Sequence, residues 1–246
     1  MTTENRGLAR IGVLVPYTNT NLEPDLMRMR VPGTTLHAQR MGGYDADEIP
    51  GSDQMAGLGA SDISHDLRMI AGVRPDIVLY GCTSATLTHG PTFDTKLAKS
   101  IADTCQAKCV TAAGALVAAL QALGVQRIGF SSPYLDEINQ QAVRFLESNG
   151  IGTIRCADID RTLGNYGQGE LTPAEIHDLA LRADHKQAEA IVLSCTDMRS
   201  VEVVAEIEVA LGKPVVTSNQ AMMFCVMRAL GLSRHSALPG RLFECL

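Results

Sequence analysis

The chain contains no tryptophan, and aromatic residues make up only 4% of its 246 positions. Its apolar residues are dispersed, and no apolar stretch approaches the roughly 18 residues that a membrane helix needs. The formal net charge is −6, so the basic footprint of a general nucleic-acid-binding protein is missing. We therefore expect neither a membrane nor a nucleic-acid partner. A small anionic substrate is still compatible with this charge, because a pocket can be locally positive on an acidic protein.

Several common functional signatures are also missing. The first residues, 1–10, are polar and charged and lack the apolar segment of a signal peptide, so we expect a cytoplasmic protein. The seven cysteines are odd in number and widely spaced, which argues against a disulfide scaffold. Cys105 and Cys109 are one helical turn apart without a histidine cluster, so we interpret them as buried thiols rather than a metal site. No P-loop or Gly-x-Gly-x-x-Gly follows a strand, so nucleotide binding has no support.

Short apolar runs alternate with helical patterns along the whole chain. The predicted strands are 11–15, 35–40, 76–80, 109–111, 127–131, 152–157, 190–193 and 214–217. This alternation predicts the α/β class with parallel sheets. Ligands of such sheets bind at the carboxyl ends of the strands.

Between these elements we expect two glycine-rich polar loops. One covers residues 41–59 and is either a candidate active-site loop or a long surface connection; the other covers residues 161–171. Thr172 is a predicted N-cap of the helix that follows the second loop. Asn21 or Thr20 is the predicted cap of an earlier helix that begins near Pro24.

Two cysteines occupy matching places in the two halves of the chain. Each follows a buried apolar run and precedes a threonine: Ile-Val-Leu-Tyr-Gly-Cys82-Thr83 and Ile-Val-Leu-Ser-Cys195-Thr196. The run from Ile11 to Tyr17 resembles the run from Ile128 to Tyr134, at nearly the same separation. An internal duplication follows, and it would place one thiol on each side of a shared site.

A thiol at a strand end, beside backbone N–H groups, is expected to have a stabilised thiolate that serves as nucleophile or base. Two such thiols on opposite faces of one substrate can divide the work between them. The alternative is that Cys82 and Cys195 are merely small buried residues. Thr83, Ser84 and Thr196 offer hydroxyls that would hold a carboxylate and stabilise an enediolate, or they are ordinary turn and cap residues.

Four further side chains are uncharged hydrogen-bond donors near the ends of predicted strands or in a loop. Asn19 and Tyr134 follow the first strand of each half, and Tyr17 is the symmetry counterpart of Tyr134. Asn165 lies in Gly-Asn-Tyr-Gly within the second glycine-rich loop. All four are candidate carboxylate ligands, with turn or packing roles as the alternative.

These residues together resemble the aspartate/glutamate racemase superfamily, and within it the maleate cis-trans isomerase and arylmalonate decarboxylase branch. The resemblance spans nearly the whole chain. The motifs that carry it are Arg10-Ile-Gly-Val-Leu-Val-Pro16 with Asn19-Thr20, Tyr80-Gly-Cys82-Thr83, Thr111-Ala-Ala-Gly-Ala115, Ser132-Pro-Tyr134 with Asn139, Leu193-Ser-Cys195-Thr196, and Pro214-Val-Val-Thr-Ser-Asn219-Gln-Ala221.

The resemblance implies two pseudo-symmetric flavodoxin-like domains with the active site in the cleft between them. We place the N-terminal domain at residues 1–115 plus 218–246 and the C-terminal domain at 116–217. The resemblance also implies that the enzyme needs neither a metal nor an organic cofactor. It further implies a homodimer. In the isomerases the residue matching Cys82 adds to the double bond of maleate, the residue matching Cys195 is the acid/base partner, and residues matching Asn19, Tyr134 and Asn165 hold the carboxylates.

One departure from the isomerases leaves other substrates open. They carry Ser-Ser-Asn-Thr in the first loop, where this chain has the bulkier Tyr17. The main expectation is an isomerase of a small dicarboxylate, and the second is a racemase of an amino acid or hydantoin that uses the same two thiols. An arylmalonate-type decarboxylase is disfavoured, because those enzymes resemble this chain but keep only the cysteine that matches Cys195. A binding module without turnover is the non-enzymatic alternative.

Overall fold

The structure is a computed structural model that describes residues 7–42, 52–161 and 163–246, without the side chains of Ser52 and Asn165. The first half of the chain forms a four-stranded sheet. Its strands are β1 (Ala9–Pro16), β2 (Thr34–Met41), β3 (Ile77–Tyr80) and β4 (Lys108–Thr111). Every neighbouring pair is parallel, and the order is β2-β1-β3-β4.

The second half repeats this sheet. Its strands are β5 (Arg127–Ser131), β6 (Gly152–Ala157), β7 (Ala190–Leu193) and β8 (Val215–Thr217). They are again parallel, in the order β6-β5-β7-β8. The predicted α/β class is confirmed, and the equal strand orders agree with the duplication seen in the sequence.

Helices connect the strands. In the first half they are α1 (Leu22–Met29), α2 (Ser52–Ala60), α3 (Ser64–Ala71), α4 (Thr83–Leu87), α5 (Pro91–Cys105) and α6 (Ala112–Ala122). In the second half they are α7 (Asp136–Glu147), α8 (Gly164–Glu170), α9 (Pro173–Ala183), α10 (Val204–Leu211) and α11 (Ser218–Leu230). Short 3-10 turns lie at Val201–Val203 and Arg241–Cys245. Within the described ranges, no helix is both long and apolar enough to cross a bilayer.

The strands β3 and β7 are buried along their entire length. Both are inner strands of parallel sheets covered by helices, which explains why they are continuous apolar runs rather than alternating ones. One large apolar cluster includes Ile11 of the first sheet, Phe130 of the second, and residues of α6 and α11 such as Leu116 and Phe224. The two halves therefore share packed side chains, and the cysteine loops leave the sheets at the ends of their best-buried strands.

Two of the predicted loops are partly helical. Residues 52–60 form α2, while residues 43–51 of the same predicted loop lie outside the described residues. Residues 164–170 form α8, although this segment contains three glycines. Glycine lowers helix propensity, but it also lets a helix approach its neighbour closely. A Cβ on Gly59 would lie 2.4 Å from the backbone oxygen of Ala85, so α2 packs against α4 only because the side chain is absent.

The cap predicted at Thr172 is confirmed. Its hydroxyl accepts the backbone N–H of Glu175 at 3.2 Å, and the Glu175 carboxylate accepts the N–H of Thr172 at 2.9 Å. This reciprocal pair is a capping box, which satisfies two of the unpaired donors at the start of α9.

Candidate active site

The first cysteine lies in a tight turn between β3 and α4. The N–H of Gly81 donates to the backbone oxygen of Leu14 at 2.9 Å, which ties the turn to the end of β1. A Cβ at position 81 would come within 2.3 Å of Leu22 Cδ2 and 2.8 Å of the Leu14 oxygen, so only glycine fits. Cys82 is 5% exposed, and its Sγ lies 3.8 Å from Oγ of Ser84.

The second cysteine occupies the equivalent turn after β7. The N–H of Ser194 donates to the backbone oxygen of Ser131 at 2.8 Å, which repeats the tie made by Gly81. Cys195 is 1% exposed, and its Sγ accepts the backbone N–H of Asp197 at 3.3 Å. The predicted placement of both thiols at carboxyl ends of buried strands therefore matches the structure.

Tyr134 connects the two cysteine turns. Its hydroxyl lies 3.4 Å from Sγ of Cys195 and 3.3 Å from Oγ of Ser84. The tyrosine is held by its own loop, since its N–H donates to Ser132 Oγ and its carbonyl accepts from Asn139 Nδ2, each at 3.1 Å. A continuous hydrogen-bonding row follows, in the order Cys82, Ser84, Tyr134, Cys195. We call these four residues the thiol row.

The surroundings of both thiols favour the neutral form, whereas the sequence led us to expect a stabilised thiolate. Burial raises the pKa of Cys195 to about 12, and the nearby charge of Asp197 adds to this rise. Burial also raises the pKa of Cys82, although the backbone N–H of Ala85 and the hydroxyl of Ser84 act against it. The expected donors are present, but removing the thiols from water outweighs them.

Asn19 links the first loop to the second cysteine turn. Its Oδ1 accepts the backbone N–H groups of Asn21 and Leu22, at 3.1 and 2.9 Å, and so caps α1. Of the two predicted caps, Asn21 occupies the N-cap position of α1 and Thr20 does not. The Asn21 side chain makes no cap hydrogen bond, and the Asn19 side chain makes it instead. The Nδ2 of Asn19 donates to Oγ1 of Thr196 at 2.9 Å.

The two threonines that follow the cysteines are also engaged within the protein. Thr196 Oγ1 donates to the backbone oxygen of Gly81 at 2.8 Å, so each cysteine turn is bonded directly to the other. Thr83 Oγ1 donates to Oγ of Ser218, at the start of α11, at 3.0 Å. Both hydroxyls remain close to the thiol row, and both can still accept a hydrogen bond.

Asp197 and Met55 belong to the site but were not predicted. The Asp197 carboxylate accepts the backbone N–H groups of Thr20 and Asn21, at 2.8 and 3.1 Å, and burial raises its pKa to about 6. Met55 of α2 is 2% exposed, and its Sδ lies 2.9 Å from Oγ of Ser84. Asp197 adjoins the Cys195-Thr196 motif, so its position was a usable signal; Met55 lay in a segment that we predicted to be a loop.

Two other predicted ligands are not placed at the thiol row by any described contact. The ring of Tyr17 lies against the end of β2, where a Cβ on Gly42 would come 2.4 Å from its Cδ1. Asn165 lies in the first turn of α8, but its side chain is outside the described residues. Their roles as carboxylate ligands remain predictions.

The profile of the arylmalonate decarboxylase family matches residues 11–243. The chain belongs to this family. The predicted resemblance to the maleate isomerase and arylmalonate decarboxylase branch of the aspartate/glutamate racemase superfamily is thus confirmed over nearly the whole chain. Because the family contains isomerases and decarboxylases, membership establishes an enzyme of this family but not one reaction.

Both maleate isomerases and arylmalonate decarboxylases match this chain over almost its full length. Maleate isomerase from Nocardia farcinica is 28% identical over 246 residues, 95% of this chain and 94% of that protein. Arylmalonate decarboxylase from Bordetella bronchiseptica is 28% identical over 235 residues, 94% of this chain and 92% of that protein. A Nocardia farcinica maleate cis-trans isomerase mutant, solved with a covalently bound succinylcysteine intermediate, superposes with a TM-score of 0.86 at 25% identity, covering 96% of this chain and 98% of that one.

Proposed function

We propose that this protein is a cofactor-independent isomerase in which Cys82 and Cys195 act on one small carboxylate, with cis-trans isomerisation of a maleate-like diacid as its reaction. The observation that carries this proposal is the thiol row. Two buried thiols from matching turns lie at the two ends of this row. The distances between its successive sulfur and oxygen atoms are 3.8, 3.3 and 3.4 Å. Purely structural cysteines have no need of such a connection.

The row offers a path for a proton between the two sulfur atoms. In the reactive form the pair holds one proton, so that one sulfur is a thiolate and the other a thiol. The hydroxyls of Ser84 and Tyr134 can each accept a proton on one side and donate one on the other. The proton can therefore reside on Cys195 while Cys82 is the thiolate, without passing through bulk water.

The chemistry then proceeds in balanced steps. The Cys82 thiolate adds to one olefinic carbon, a carbon–sulfur bond forms, and the π electrons move toward the adjacent carboxylate as an enediolate. Cys195 protonates the neighbouring carbon and becomes a thiolate. Rotation occurs about the carbon–carbon single bond. Cys195 then takes a proton from that carbon, the carbon–sulfur bond breaks, and the trans diacid leaves with both thiols restored to their starting state.

The groups around the row suit a dicarboxylate. The enediolate carries its developing charge on a carboxylate, and hydroxyl and amide donors stabilise such charge best when they are fixed and shielded from water. Thr83, Ser84, Thr196 and Asn19 are all buried. Asn19 Nδ2 has a second N–H to donate beyond the one given to Thr196, and the three hydroxyls would rotate from their present acceptors to the substrate carboxylate. We assign them, with Tyr134, to carboxylate binding, and we assign Tyr17 and Asn165 to the outer part of the same site.

The presence of Cys82 as well as Cys195 supports this assignment over the decarboxylase alternative, because the decarboxylases that this chain resembles keep only the second cysteine. Maleate isomerases from Geobacillus stearothermophilus and Nocardia farcinica are 25% and 28% identical to this chain over nearly their full lengths. A racemase would use the same two thiols, so it remains the second candidate on the same observation.

The test is proton NMR of small dicarboxylates and amino acids incubated with the protein in D2O. We expect maleate to be converted to fumarate, with loss of conversion in Cys82→Ala and in Cys195→Ala. Deuterium entering the α-position of an amino acid, with maleate unchanged, would instead identify a racemase. Full activity of either cysteine variant would overturn the two-thiol scheme.

A further inference from the structure

A buried amide joins the second cysteine turn to a carboxyl group on α1. The Nδ2 of Asn219 donates to Oδ2 of Asp25 at 2.8 Å and to the backbone oxygen of Thr196 at 3.1 Å. Asn219 is fully buried and Asp25 is 3% exposed. Asn219 follows the N-cap Thr217, which forms a capping box with Gln220 and fixes the first turn of α11. One side chain therefore connects three elements of the fold.

The orientation of this amide is determined by its two acceptors. Turning it over would place Oδ1 of Asn219 against two other oxygens, those of Asp25 and Thr196. In the orientation that is present, Oδ1 is buried without a hydrogen-bond partner among the described residues. A buried unpaired acceptor lowers stability, so its retention calls for an explanation other than stability.

The bonds beyond Thr196 supply that explanation. The hydroxyl of Thr196 donates to the backbone oxygen of Gly81, and it accepts from Asn19. The hydrogen bonds that begin at Asp25 therefore pass through Asn219 to Thr196, and Thr196 connects them to both cysteine turns. We propose that Asn219 is a positioning residue that fixes the Cys195–Thr196 turn, and that Asp25 holds the Asn219 amide in place by accepting its N–H.

The surroundings of Asp25 are consistent with a carboxylate that acts as this acceptor. Burial raises the pKa of Asp25 to about 7, while the Asn219 amide, the Arg28 charge and the Val201 N–H act against the rise. Glu202 faces Asp25 from the 3-10 turn, but it pairs with Arg28 and Arg199. An ionised acceptor makes a stronger bond than a neutral one, so the charged form of Asp25 holds the amide best.

The test measures the alkylation rate of each cysteine by iodoacetamide with peptide mass spectrometry. Cys195 is almost fully buried, so at a fixed pH its reaction speeds up when its turn opens more often. Cys105 is buried in a different cluster and reports global opening. The inference rests on the proposed function only in treating Cys195 as catalytic, and alkylation requires no turnover. A failed maleate assay would thus defeat the proposed function and leave this measurement intact.

We expect Asn219→Ala to raise the ratio of Cys195 to Cys105 alkylation roughly tenfold, the effect of losing one charge-assisted hydrogen bond. Asp25→Asn keeps the shape and an acceptor oxygen, and should raise the same ratio less. The matched control is Asp94→Asn, another buried carboxyl, which is bonded to Thr111 and not to Asn219. It should leave the ratio at the wild-type value or lower it.

The outcomes separate positioning from simple stability. A rise in Cys195 and Cys105 together, in Asn219→Ala and Asp25→Asn alike, would show general loosening and overturn the proposal. An unchanged ratio in both variants would also overturn it. Should Asn219→Ala fail to fold, Asp25→Asn alone decides, because it alters one atom type and preserves side-chain volume.

Discussion

The phenolic oxygen of Tyr134 lies 3.4 Å from Sγ of Cys195 and 3.3 Å from Oγ of Ser84, so it links the second thiol to the helix that follows the first. Tyr134 and the neighbouring carboxylate of Asp197 have opposite effects on the pKa of the Cys195 thiol. The Tyr134 hydrogen bond lowers the pKa of Cys195, whereas the charge of Asp197 raises it. The pKa of Cys195 therefore depends on two groups that can be altered separately.

Replacing Tyr134 with phenylalanine removes the hydroxyl and interrupts the thiol row. We expect kcat for maleate to fall by roughly 10²- to 10³-fold, the usual effect of losing one fixed donor that stabilises developing charge. Steady-state kinetics of fumarate formation provide the measurement. Tyr166→Phe is the matched control, because Tyr166 is half exposed and should tolerate the same change without loss. Wild-type kcat in Tyr134→Phe would contradict the row as a proton path.

Replacing Asp197 with asparagine removes a negative charge from the neighbourhood of Cys195 while an acceptor oxygen remains. We expect the pKa of Cys195 to fall and its alkylation at pH 8 to speed up by roughly tenfold, the equivalent of one pKa unit. Because burial raises the pKa of Asp197 to about 6, wild type and variant should converge as the pH falls below that value. A pH-independent difference would point to altered packing instead of charge.

Replacing Gly81 with alanine forces a Cβ against the backbone of β1. The nearest atom after Leu22 Cδ2 is the Leu14 oxygen at 2.8 Å, which has no freedom to move aside. We expect a loss of about 1–3 kcal/mol in the free energy of unfolding, together with reduced activity, because the Cys82 turn must shift. Gly57→Ala is the control: no atom lies within 4 Å of a Cβ there, so denaturant unfolding should show no loss.

Replacing Asp25 with asparagine should change how stability depends on pH. Asp25 titrates near pH 7 when folded, against an ordinary value of 3.8, so the folded protein binds this proton more readily than the unfolded one. Stability of the wild type should therefore decrease as the pH rises from about 4 through 7. Asp25→Asn lacks this pH-dependent loss of stability. Its free energy of unfolding should exceed that of the wild type at pH 8, and the difference should disappear toward pH 4.

Thermal or urea unfolding at several pH values checks this expectation. Asp178→Asn is the control, since the Asp178 side chain is 80% exposed and should leave the profile unaltered. A variant that is less stable than wild type at pH 8 would show that the lost hydrogen bonds outweigh the cost of the buried charge.

The sheets and the cysteine turns could be predicted from the sequence because their signals are local. The run Ala190–Leu193 is fully apolar and matches β7 in length, and Cys195 follows it after one residue, Ser194. The helices α2 and α8 could not be predicted, because their glycines oppose helix formation and the compensating contacts are distant. In α8, for example, a Cβ on Gly169 would lie 2.8 Å from Oγ1 of Thr20.

The motifs predicted the individual residues of the thiol row, but not their arrangement, and they did not predict Asp197 or Met55. Motif positions identified Asn19 and Thr196 separately, yet their mutual bond joins residues 177 positions apart. The effect of burial on the two thiols could not be predicted from the sequence for the same reason. Local donors around Cys82 are visible in the sequence, whereas burial, which raises the pKa of this thiol, is a property of the whole fold.

The central claim is that Cys82 forms a covalent adduct whose breakdown needs Cys195. Intact-protein mass spectrometry of Cys195→Ser after incubation with maleate tests it directly. The serine hydroxyl can pass a proton from water to the enediolate and so complete the adduct, but it is not ionised at neutral pH and cannot take back the proton that elimination requires. We predict a mass increase equal to one maleic acid, mapped by peptide digestion to Cys82 and absent when Cys82 is also replaced by serine. No adduct, or an adduct on another cysteine such as the exposed Cys245, would contradict the account.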